Sequence, residues 1–335
     1  MIFKNIDFHN VDELVKTENG YLMQRVNSDV LKHLFPAVQE RIAYFGTGVE
    51  LRFVIGSGEV EIDLFIDDNL SEGIVTARPT TVRVFYGDWQ SGYKTPDFHL
   101  HPGLNTLKLS IPDESELLTK LDGAFDSRVV RIILPQNIIE FVDARGDIRL
   151  PDKSMYPEKT LLFYGSSITN GADATSVPST FAFRTAKKLG VDYFNLGFSG
   201  NAGIEKEMAE YISARKDWDY ACIELGANVY EYSDEKFDEY VKNFTNIMAN
   251  DGRKVFCTDL FACYSDIFGW AEKSDKMRAA VKRHALRNNL FYIPGLSLLP
   301  PKPEYLTTDG VHPSVEGVAV LTENYISNLK KMLNI

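Results

Sequence analysis

The first 150 residues alternate apolar and polar positions with the period of two that is typical of half-buried β-strands. Clusters of Gly, Asn, Asp and Pro separate the apolar runs, and the predicted strands are 50–55, 60–66, 81–86, 106–111, 129–134 and 139–143. One helix is predicted from Ser28, which can cap it, and Pro36 limits its extension, with 37–44 as a second helical turn. The region is therefore predicted to be an antiparallel β-sandwich with a short helix.

After Pro157 the pattern changes to short apolar runs that alternate with amphipathic stretches of helical period. The predicted strands are 160–164, 191–195, 219–225, 253–259 and 290–293, and the predicted helices are 178–189, 203–214, 234–250, 273–288 and 313–333. Strands that alternate with crossover helices predict a parallel sheet covered on both faces. The short, proline-bounded segment 150–157 then joins two domains, 1–152 and 153–335, that we expect to pack against each other.

Chemically active residue types gather where these parallel strands end. The run from Thr160 breaks at Gly165 into small hydroxyl residues, of which Ser166, Ser167 and Thr169 are candidates for chemistry. In open α/β sheets ligands bind at the carboxyl edge. Three later clusters also follow strands or lie in the last loop, and they are residues 195–201, 224–228 and 309–313. Together the clusters supply a hydroxyl nucleophile, backbone and amide donors, and a carboxylate beside an imidazole.

This ordered set resembles the four blocks of the SGNH (GDSL-type) hydrolases, a family of esterases and acetyl-esterases. The segment 165–168 stands at the family's Gly-Asp-Ser-Leu, so the resemblance implies Ser167 rather than Ser166 as nucleophile. Gly200 and Asn228 match the second and third blocks. Asp309 and His312 match the final Asp-x-x-His, and the resemblance covers roughly residues 158–335. It implies a flavodoxin-like α/β/α domain with five parallel strands.

The sequence departs from the family pattern at two positions. Ser166 replaces the usual first-block Asp, and Val229 follows Asn228 where many members have Asp. Neither change removes a group that the resemblance implies for catalysis.

The implied mechanism is acyl transfer through a covalent acyl-enzyme. His312 would take the proton of Ser167, while Asp309 would hold the imidazole tautomer. The backbone N–H groups of Ser167 and Gly200 and the side-chain amide of Asn228 would form the oxyanion hole. No metal and no organic cofactor is needed for this chemistry.

The architecture implied by the resemblance favours a substrate class. Carbohydrate acetyl-esterases carry a jelly-roll domain ahead of the catalytic one, so we expect a short-chain acyl ester, in particular an O-acetyl group on a sugar. The alternatives are a general short-chain lipase or acylhydrolase, and a catalytically silent carbohydrate-binding protein. Candidate substrate contacts are Ser166, Trp89 in the loop 87–93 and Tyr264 in the aromatic loop 261–270. Domain packing explains both loops equally well, although Trp89 is expected to overhang the carboxyl edge.

Other sites remain open from the sequence. The segment 165–171 could cradle a flavin or nucleotide phosphate, but such a site gives no reason for the Asp309 and His312 pair, and a P-loop lysine is missing. His99 and His101 could form a surface metal site. Calcium could bind at three aspartates, Asp63, Asp67 and Asp68, which otherwise form a solvated strand end.

Composition narrows the function classes. The 335 residues are 44% hydrophobic and carry a formal net charge of −11, which argues against nucleic-acid and anionic-membrane partners. Cys222 and Cys257 lie in apolar runs and are expected to be buried. The amino terminus lacks the apolar segment of a signal peptide, so the chain as given is expected to be cytoplasmic. Its oligomeric state does not follow from the sequence.

Overall fold

The computed structural model describes residues 1–67, 80–90, 97–112, 123–249 and 252–333. An antiparallel β-rich domain precedes a domain built on a five-stranded parallel sheet. Both predicted fold classes are confirmed. None of the helices in the described ranges is long and apolar enough to cross a membrane.

In its described ranges, the amino-terminal domain contains antiparallel strands and two short helices. Its strands are β1 (Ile2–Phe3), β2 (Ile6–His9), β3 (Glu13–Lys16), β4 (Tyr21–Gln24), β5 (Glu50–Ile66), β6 (Thr81–Tyr86), β7 (Trp89–Gln90), β8 (Phe98–His99), β9 (Gly103–Ser110), β10 (Val129–Ile133) and β11 (Glu140–Arg149). The helices are α1 (Ser28–Leu31) and α2 (Pro36–Glu40), followed by a 3₁₀ turn at Ile42–Tyr44.

Strand β5 organises this domain, and it replaces two separately predicted strands. Its first part pairs with β2 and β10, while its second part pairs with β9 and β11. The apolar side chains of β5, such as Phe53 and Ile62, alternate into one buried core. The segment around Gly56 joins the two parts without ending the strand, because the ladder to β11 continues past it with register shifts.

The carboxyl-terminal domain follows the predicted alternation, with bounds that differ by a few residues. Its strands are β12 (Thr160–Gly165), β13 (Asp192–Gly197), β14 (Tyr220–Glu224), β15 (Lys254–Thr258) and β16 (Phe291–Ile293). Its helices are α3 (Ser167–Asn170), α4 (Phe181–Leu189), α5 (Lys206–Ala214), α6 (Asp234–Met248), α7 (Tyr264–Phe268), α8 (Glu272–Arg287), α9 (Gly295–Leu298) and α10 (Val315–Leu333).

The parallel strands lie in the order β13-β12-β14-β15-β16. Alternate side chains of β12 enter different cores, because successive residues of a strand point to opposite faces. Leu162 packs in the core that includes α5, α6 and α8, whereas Phe163 packs in the core that includes α4 and α10. This is the three-layer arrangement that the resemblance implied. Cys222 and Cys257 are buried in β14 and β15, as predicted.

The two domains share a core. Side chains on either side of α1 and α2, including Val26, Leu34 and Phe45, belong to the same buried cluster as Met208 of α5 and Phe244 of α6. The segment 26–45 thus covers the α5 and α6 side of the parallel sheet. A boundary at residue 152 follows the change of sheet but cuts through this core.

The amino-terminal domain also covers the open edge of β13. Backbone carbonyls on an edge strand are unpaired unless another group reaches them. Asn10 donates to the Asn195 carbonyl (2.9 Å), and the guanidinium of Arg25 donates to the carbonyls of Asn195 and Gly197 (3.0 Å each). Arg25 is fully buried, and this burial lowers its pKa to about 9. The edge strand of the carboxyl-terminal domain is therefore held by side chains of the other domain.

Candidate active site

The turn after β12 places a serine at the carboxyl edge of the sheet. Ser166 caps α3, since its hydroxyl accepts from the backbone N–H of Ile168 (3.2 Å). Ser167 is then the first helical residue, where a backbone N–H has no partner within the helix. Gly165 permits this turn, because a Cβ there would lie 2.4 Å from Oε2 of Glu224.

Glu224, at the end of β14, supports the turn from below. Its buried carboxylate accepts from the backbone N–H of Ser166 (3.0 Å), the Ser166 hydroxyl (2.6 Å) and the Thr169 hydroxyl (2.7 Å). Burial raises the pKa of Glu224, although these hydrogen bonds oppose the rise. Ser166, a candidate substrate contact, is itself buried and bonded to this carboxylate. The hydrogen bonds between Ser166 and Glu224 therefore hold the turn that positions Ser167.

Ser167 is joined to His312 and Asp309 by two short hydrogen bonds. Oγ of Ser167 lies 2.7 Å from Nε2 of His312, and Nδ1 of His312 lies 2.6 Å from Oδ2 of Asp309. The second contact assigns the hydrogen on Nδ1 to a bond with the carboxylate and leaves Nε2 able to accept from Ser167. The structure thus brings together the three residues that the resemblance implied.

The loop around Asp309 holds its carboxylate in place. Oδ1 accepts from the Thr307 hydroxyl (2.8 Å) and from the backbone N–H groups of Val311 (2.8 Å) and His312 (3.0 Å). Partial burial acts to raise the pKa of Asp309, but the bonds from His312, Val311 and Thr307 outweigh it and hold the pKa well below its usual range. Asp309 is consequently ionised at every pH at which His312 could act as a base.

Gly200 and Asn228 follow the two neighbouring strands at the same edge. Gly200 has φ +70°, and apart from its chain neighbours no atom of the described residues lies within 4 Å of the position that a Cβ would take. The backbone N–H of Ala202 donates to Oδ1 of Asn228 (3.0 Å), which ties the two loops together and orients the amide. Within the described ranges, Nδ2 of Asn228 has no protein acceptor. The arrangement is compatible with the predicted oxyanion hole, which stays a prediction.

Tyr264 lies against the loop that carries His312. Its backbone N–H donates to the Gly310 carbonyl (2.6 Å), and a Cβ on Gly310 would lie 2.8 Å from that of Tyr264. Phe268 at the end of α7 and Trp270 just after it are exposed and stack with ring centroids 5.3 Å apart. We call Tyr264, Phe268 and Trp270 the aromatic platform. A two-bonded salt bridge from Arg278 of α8 to Asp266 anchors α7.

Trp89 lies at the opposite edge of the parallel sheet. The carbonyl of Asp88 accepts from Nζ of Lys187 (2.8 Å) in the last turn of α4, which leads to the start of β13. Trp89 itself pairs with Tyr86 and packs on the core of the β-rich domain. A six-residue strand separates the two edges by roughly 20 Å. The expected position over the carboxyl edge is thus not where residues 87–90 lie, and 91–93 fall outside the described residues.

The remaining candidates do not converge with the catalytic edge. His99 bonds to the Thr81 hydroxyl (2.8 Å), and Asp63 bonds to Thr106 and Arg145, which accounts for both as parts of the β-rich domain. Asp68 lies outside the described residues. The phosphate-cradle alternative is disfavoured because the Glu224 carboxylate already accepts from the Ser166 backbone N–H and from the hydroxyls of Ser166 and Thr169, which leaves fewer donors of the 165–169 turn for a phosphate.

Sequence reasoning missed Glu224 and Asp173 as members of this site. Glu224 carried a signal, since it is a carboxylate that ends an otherwise apolar strand. Asp173 carried none, because it lies in a loop whose course depends on α3. The structure places Oδ2 of Asp173 3.3 Å from Nδ1 of His312.

Comparison with known proteins identifies the domain that carries these residues. Residues 163–320 match the family described as GDSL-like lipase/acylhydrolase. The salicylyl-acyltransferase SsfX3 of a tetracycline biosynthetic pathway aligns with 98% of this chain and 95% of its own (TM-score 0.77, 15% identity). A protein from Bacteroides ovatus described as a GDSL-like lipase aligns over 98% and 96% (TM-score 0.69, 19% identity). These two similarities show a shared two-domain fold. No curated protein sequence matches the chain significantly.

Proposed function

We propose that this chain, whose carboxyl-terminal domain belongs to the GDSL-like lipase/acylhydrolase (SGNH) family, is a serine esterase for short-chain acyl esters. The observation that carries the proposal is the hydrogen-bonded series from Ser167 through His312 to Asp309. The favoured substrate is an O-acetyl group on a carbohydrate. A catalytically inactive carbohydrate-binding protein would not need these hydrogen bonds among Ser167, His312 and Asp309.

The proposed reaction has two balanced steps. Oγ of Ser167 attacks the ester carbonyl while its proton moves to Nε2 of His312, and the bond to the alcohol then breaks as that alcohol takes the proton. Water next attacks the acyl-enzyme and gives a proton to His312, which returns it to Ser167 as the acid leaves. Asp309 stabilises the positive ring in both steps. Donors from Ser167, Gly200 and Asn228 would stabilise each oxyanion.

The aromatic platform supports a sugar as the alcohol part of the ester. His312 must protonate the departing alcohol, so that part of the substrate leaves on the side of the His312 loop, against which Tyr264 packs. Monomeric proteins seldom expose large apolar surfaces without a use for them. Stacked aromatic rings present a flat apolar face of the kind that a sugar ring covers.

An acyl acceptor other than water is the second candidate. The similar structure from a tetracycline pathway is an acyltransferase, and such a reaction shares the acyl-enzyme and changes only the group that attacks it. His312 is partly exposed, which leaves an acceptor room to approach. Product analysis with and without an added sugar alcohol separates hydrolysis from transfer.

Substitution of the two adjacent serines tests the nucleophile. Ser167→Ala should lower kcat by about 10⁴-fold or more on p-nitrophenyl acetate, because in the described residues Ser167 carries the one hydroxyl that bonds to Nε2 of His312. A fluorophosphonate should label the peptide that contains Ser167, and Ser166→Ala should lose part of its activity yet keep this label. Labelling that persists in Ser167→Ala would overturn the proposal.

Two ester series test the substrate class. Acetates of ethanol, phenol and a methyl pyranoside vary the alcohol, whereas acetate, butyrate and octanoate of p-nitrophenol vary the acyl chain. Trp270→Ala should raise KM for the sugar acetate and leave ethyl acetate unchanged. Leu286→Ala, an exposed apolar residue in the last turn of α8, is the matched control. If Trp270→Ala raised KM only for the p-nitrophenyl esters that differ in acyl chain, the proposal that the aromatic platform binds a sugar would be contradicted.

A further inference from the structure

Two carboxylates face the same nitrogen of His312. Oδ2 of Asp309 lies 2.6 Å from Nδ1, and Oδ2 of Asp173 lies 3.3 Å from it. Asp173 belongs to the loop that leaves α3 only six residues after the nucleophile. Its backbone has φ +61°, an unfavourable conformation for a residue with a Cβ. The turn is held because the N–H groups of Gly171 and Ala172 both donate to the Ser167 carbonyl (2.8 Å each).

The two carboxylates are held very differently. Asp309 accepts four hydrogen bonds, three on Oδ1 and one from the His312 ring. Asp173 contacts only the ring among the groups of the described residues. Since Nδ1 carries one hydrogen, Asp309 takes the better hydrogen bond, and Asp173 acts on the ring chiefly through its charge.

We propose that Asp173 is a second positioning residue for His312, which stabilises the positive ring together with Asp309 and partly replaces Asp309 when that carboxylate is removed. The inference rests on the proposed function, because it concerns the ring that takes the proton of Ser167. Among the described residues, the charged groups that face His312 are Asp309 from its own loop, Asp173 from the loop after α3, and Glu224 from the end of β14.

The expected magnitudes follow from exposure. About half of the Asp173 side chain is exposed, so solvent screens its charge, and Asp173→Asn should lower kcat/KM only about two- to fivefold. In a triad with one carboxylate, its loss costs roughly 10⁴-fold in kcat. Here Asp309→Asn should cost clearly less, about 10²- to 10³-fold, because a carboxylate remains near Nδ1. The double variant should approach the full loss, so the two effects are not additive.

The experiment measures kcat/KM for p-nitrophenyl acetate from pH 5 to 9 in the wild type, both single variants and the double variant. Asp173→Asn should move the acidic limb of the profile to lower pH, since a positive ring loses a neighbouring charge. Asp173→Glu should restore the wild-type limb. Asp147→Asn, which removes an exposed carboxylate in β11, is the matched control and should leave the profile in place. A purely structural role would change the rate without moving the limb.

Three outcomes would overturn the inference. The first is a double variant no slower than Asp309→Asn, and the second is an unmoved acidic limb in Asp173→Asn. The third is inactivation by EDTA with recovery on added zinc, because ligand atoms of Asp173, Asp309 and His312 lie within 4.8 Å of one another and would then hold a metal. Failure of the proposed function is distinct, since Ser167→Ala would in that case stay active.

Discussion

The parallel sheet has a histidine–aspartate pair at each edge, and the two pairs differ in their surroundings. At the amino edge, Nε2 of His9 lies 3.6 Å from Oδ1 of Asp192, with side chains 6% and 9% exposed. At the carboxyl edge, His312 and Asp309 lie 2.6 Å apart, with side chains 23% and 46% exposed. The same two residue types thus form a buried pair at one edge and an accessible pair at the other.

At the amino edge the buried charges around Asp192 are paired with opposite charges. Arg52 donates to both oxygens of Asp192 (2.6 and 2.7 Å), and Glu50 bridges Arg52 and Arg131. Burial opposes ionisation of Glu50, but the two arginines outweigh it and lower its pKa to about 2. Burial, with Arg52, lowers the pKa of His9 and keeps its ring neutral. The cluster therefore joins the domains through paired charges.

At the carboxyl edge two buried carboxylates, Glu224 and Glu205, have no arginine partner among the described residues. Burial raises the pKa of Glu224 and raises that of Glu205, just before α5, to about 7. An oxygen of Glu205 is buried without a hydrogen-bond partner in the described part of the chain. Paired charges stabilise the domain interface. The catalytic edge instead contains buried carboxylates with raised pKa values and an accessible imidazole. The two histidine–aspartate pairs consist of the same residue types, so burial and arginine partners decide which pair is structural and which is reactive.

Removal of one aspartate from each pair should give the largest difference between the two edges, in the free energy of unfolding and in activity. Asp192→Ala leaves Arg52 buried with half of its charge partners, so it should lower the free energy of unfolding by about 3–5 kcal/mol. Asp309→Ala should change stability by less than about 1 kcal/mol while it removes most activity. Urea unfolding at pH 7, followed by circular dichroism, measures both. Equal stability losses in the two variants would show that the contrast between the edges is not real.

The unpaired carboxylate at Glu205 should make stability depend on pH with a defined sign. A raised pKa in the folded state stabilises the protein below the usual carboxyl range, and this stabilisation is lost as pH rises through about 7. Glu205→Gln should therefore raise the free energy of unfolding by up to about 3 kcal/mol at pH 8 and change it little at pH 4. Parallel urea titrations at both pH values test this. A gain of the same size at pH 4 would exclude the charge as its cause.

Trp89→Ala should have the smallest effect on activity, because Trp89 lies at the amino edge. We expect kcat/KM to change less than about twofold on both ethyl acetate and an acetylated oligosaccharide, although loss of packing can lower the melting temperature. A selective loss on the oligosaccharide would mean that the amino-terminal domain reaches the substrate after all, by a route that residues 87–90 do not show.

Several features were predictable because they are local in the chain. The switch from period two to alternating strands and helices located both domains, and the Asp-x-x-His spacing brought Asp309 and His312 into one tight loop. The apolar strand before Gly165 indicated three candidate hydroxyl residues, and the resemblance to the SGNH family implied Ser167 among them. In each of these cases a short stretch of sequence carries both the pattern and its structural consequence.

Other features arise only from contacts between distant segments. Glu224 meets Ser166 from 58 positions away, and Arg25 reaches Gly197 from 172 positions away. The continuous strand β5 was also not predicted, because glycines in its middle usually indicate a turn. Here the strand continues past them and pairs with β9 and β11.

The sequence by itself determined the fold class, since periodicity acts within a few residues, and its resemblance to the SGNH blocks implied Ser167, His312 and Asp309 as candidates. Tertiary structure alone decided which charges are paired and which are not. It set Arg52 against Asp192, left Glu205 without a cation and brought Asp173 to His312. The reason is physical: burial and distance between remote segments set the energy of a charge, and neither is encoded in a local pattern.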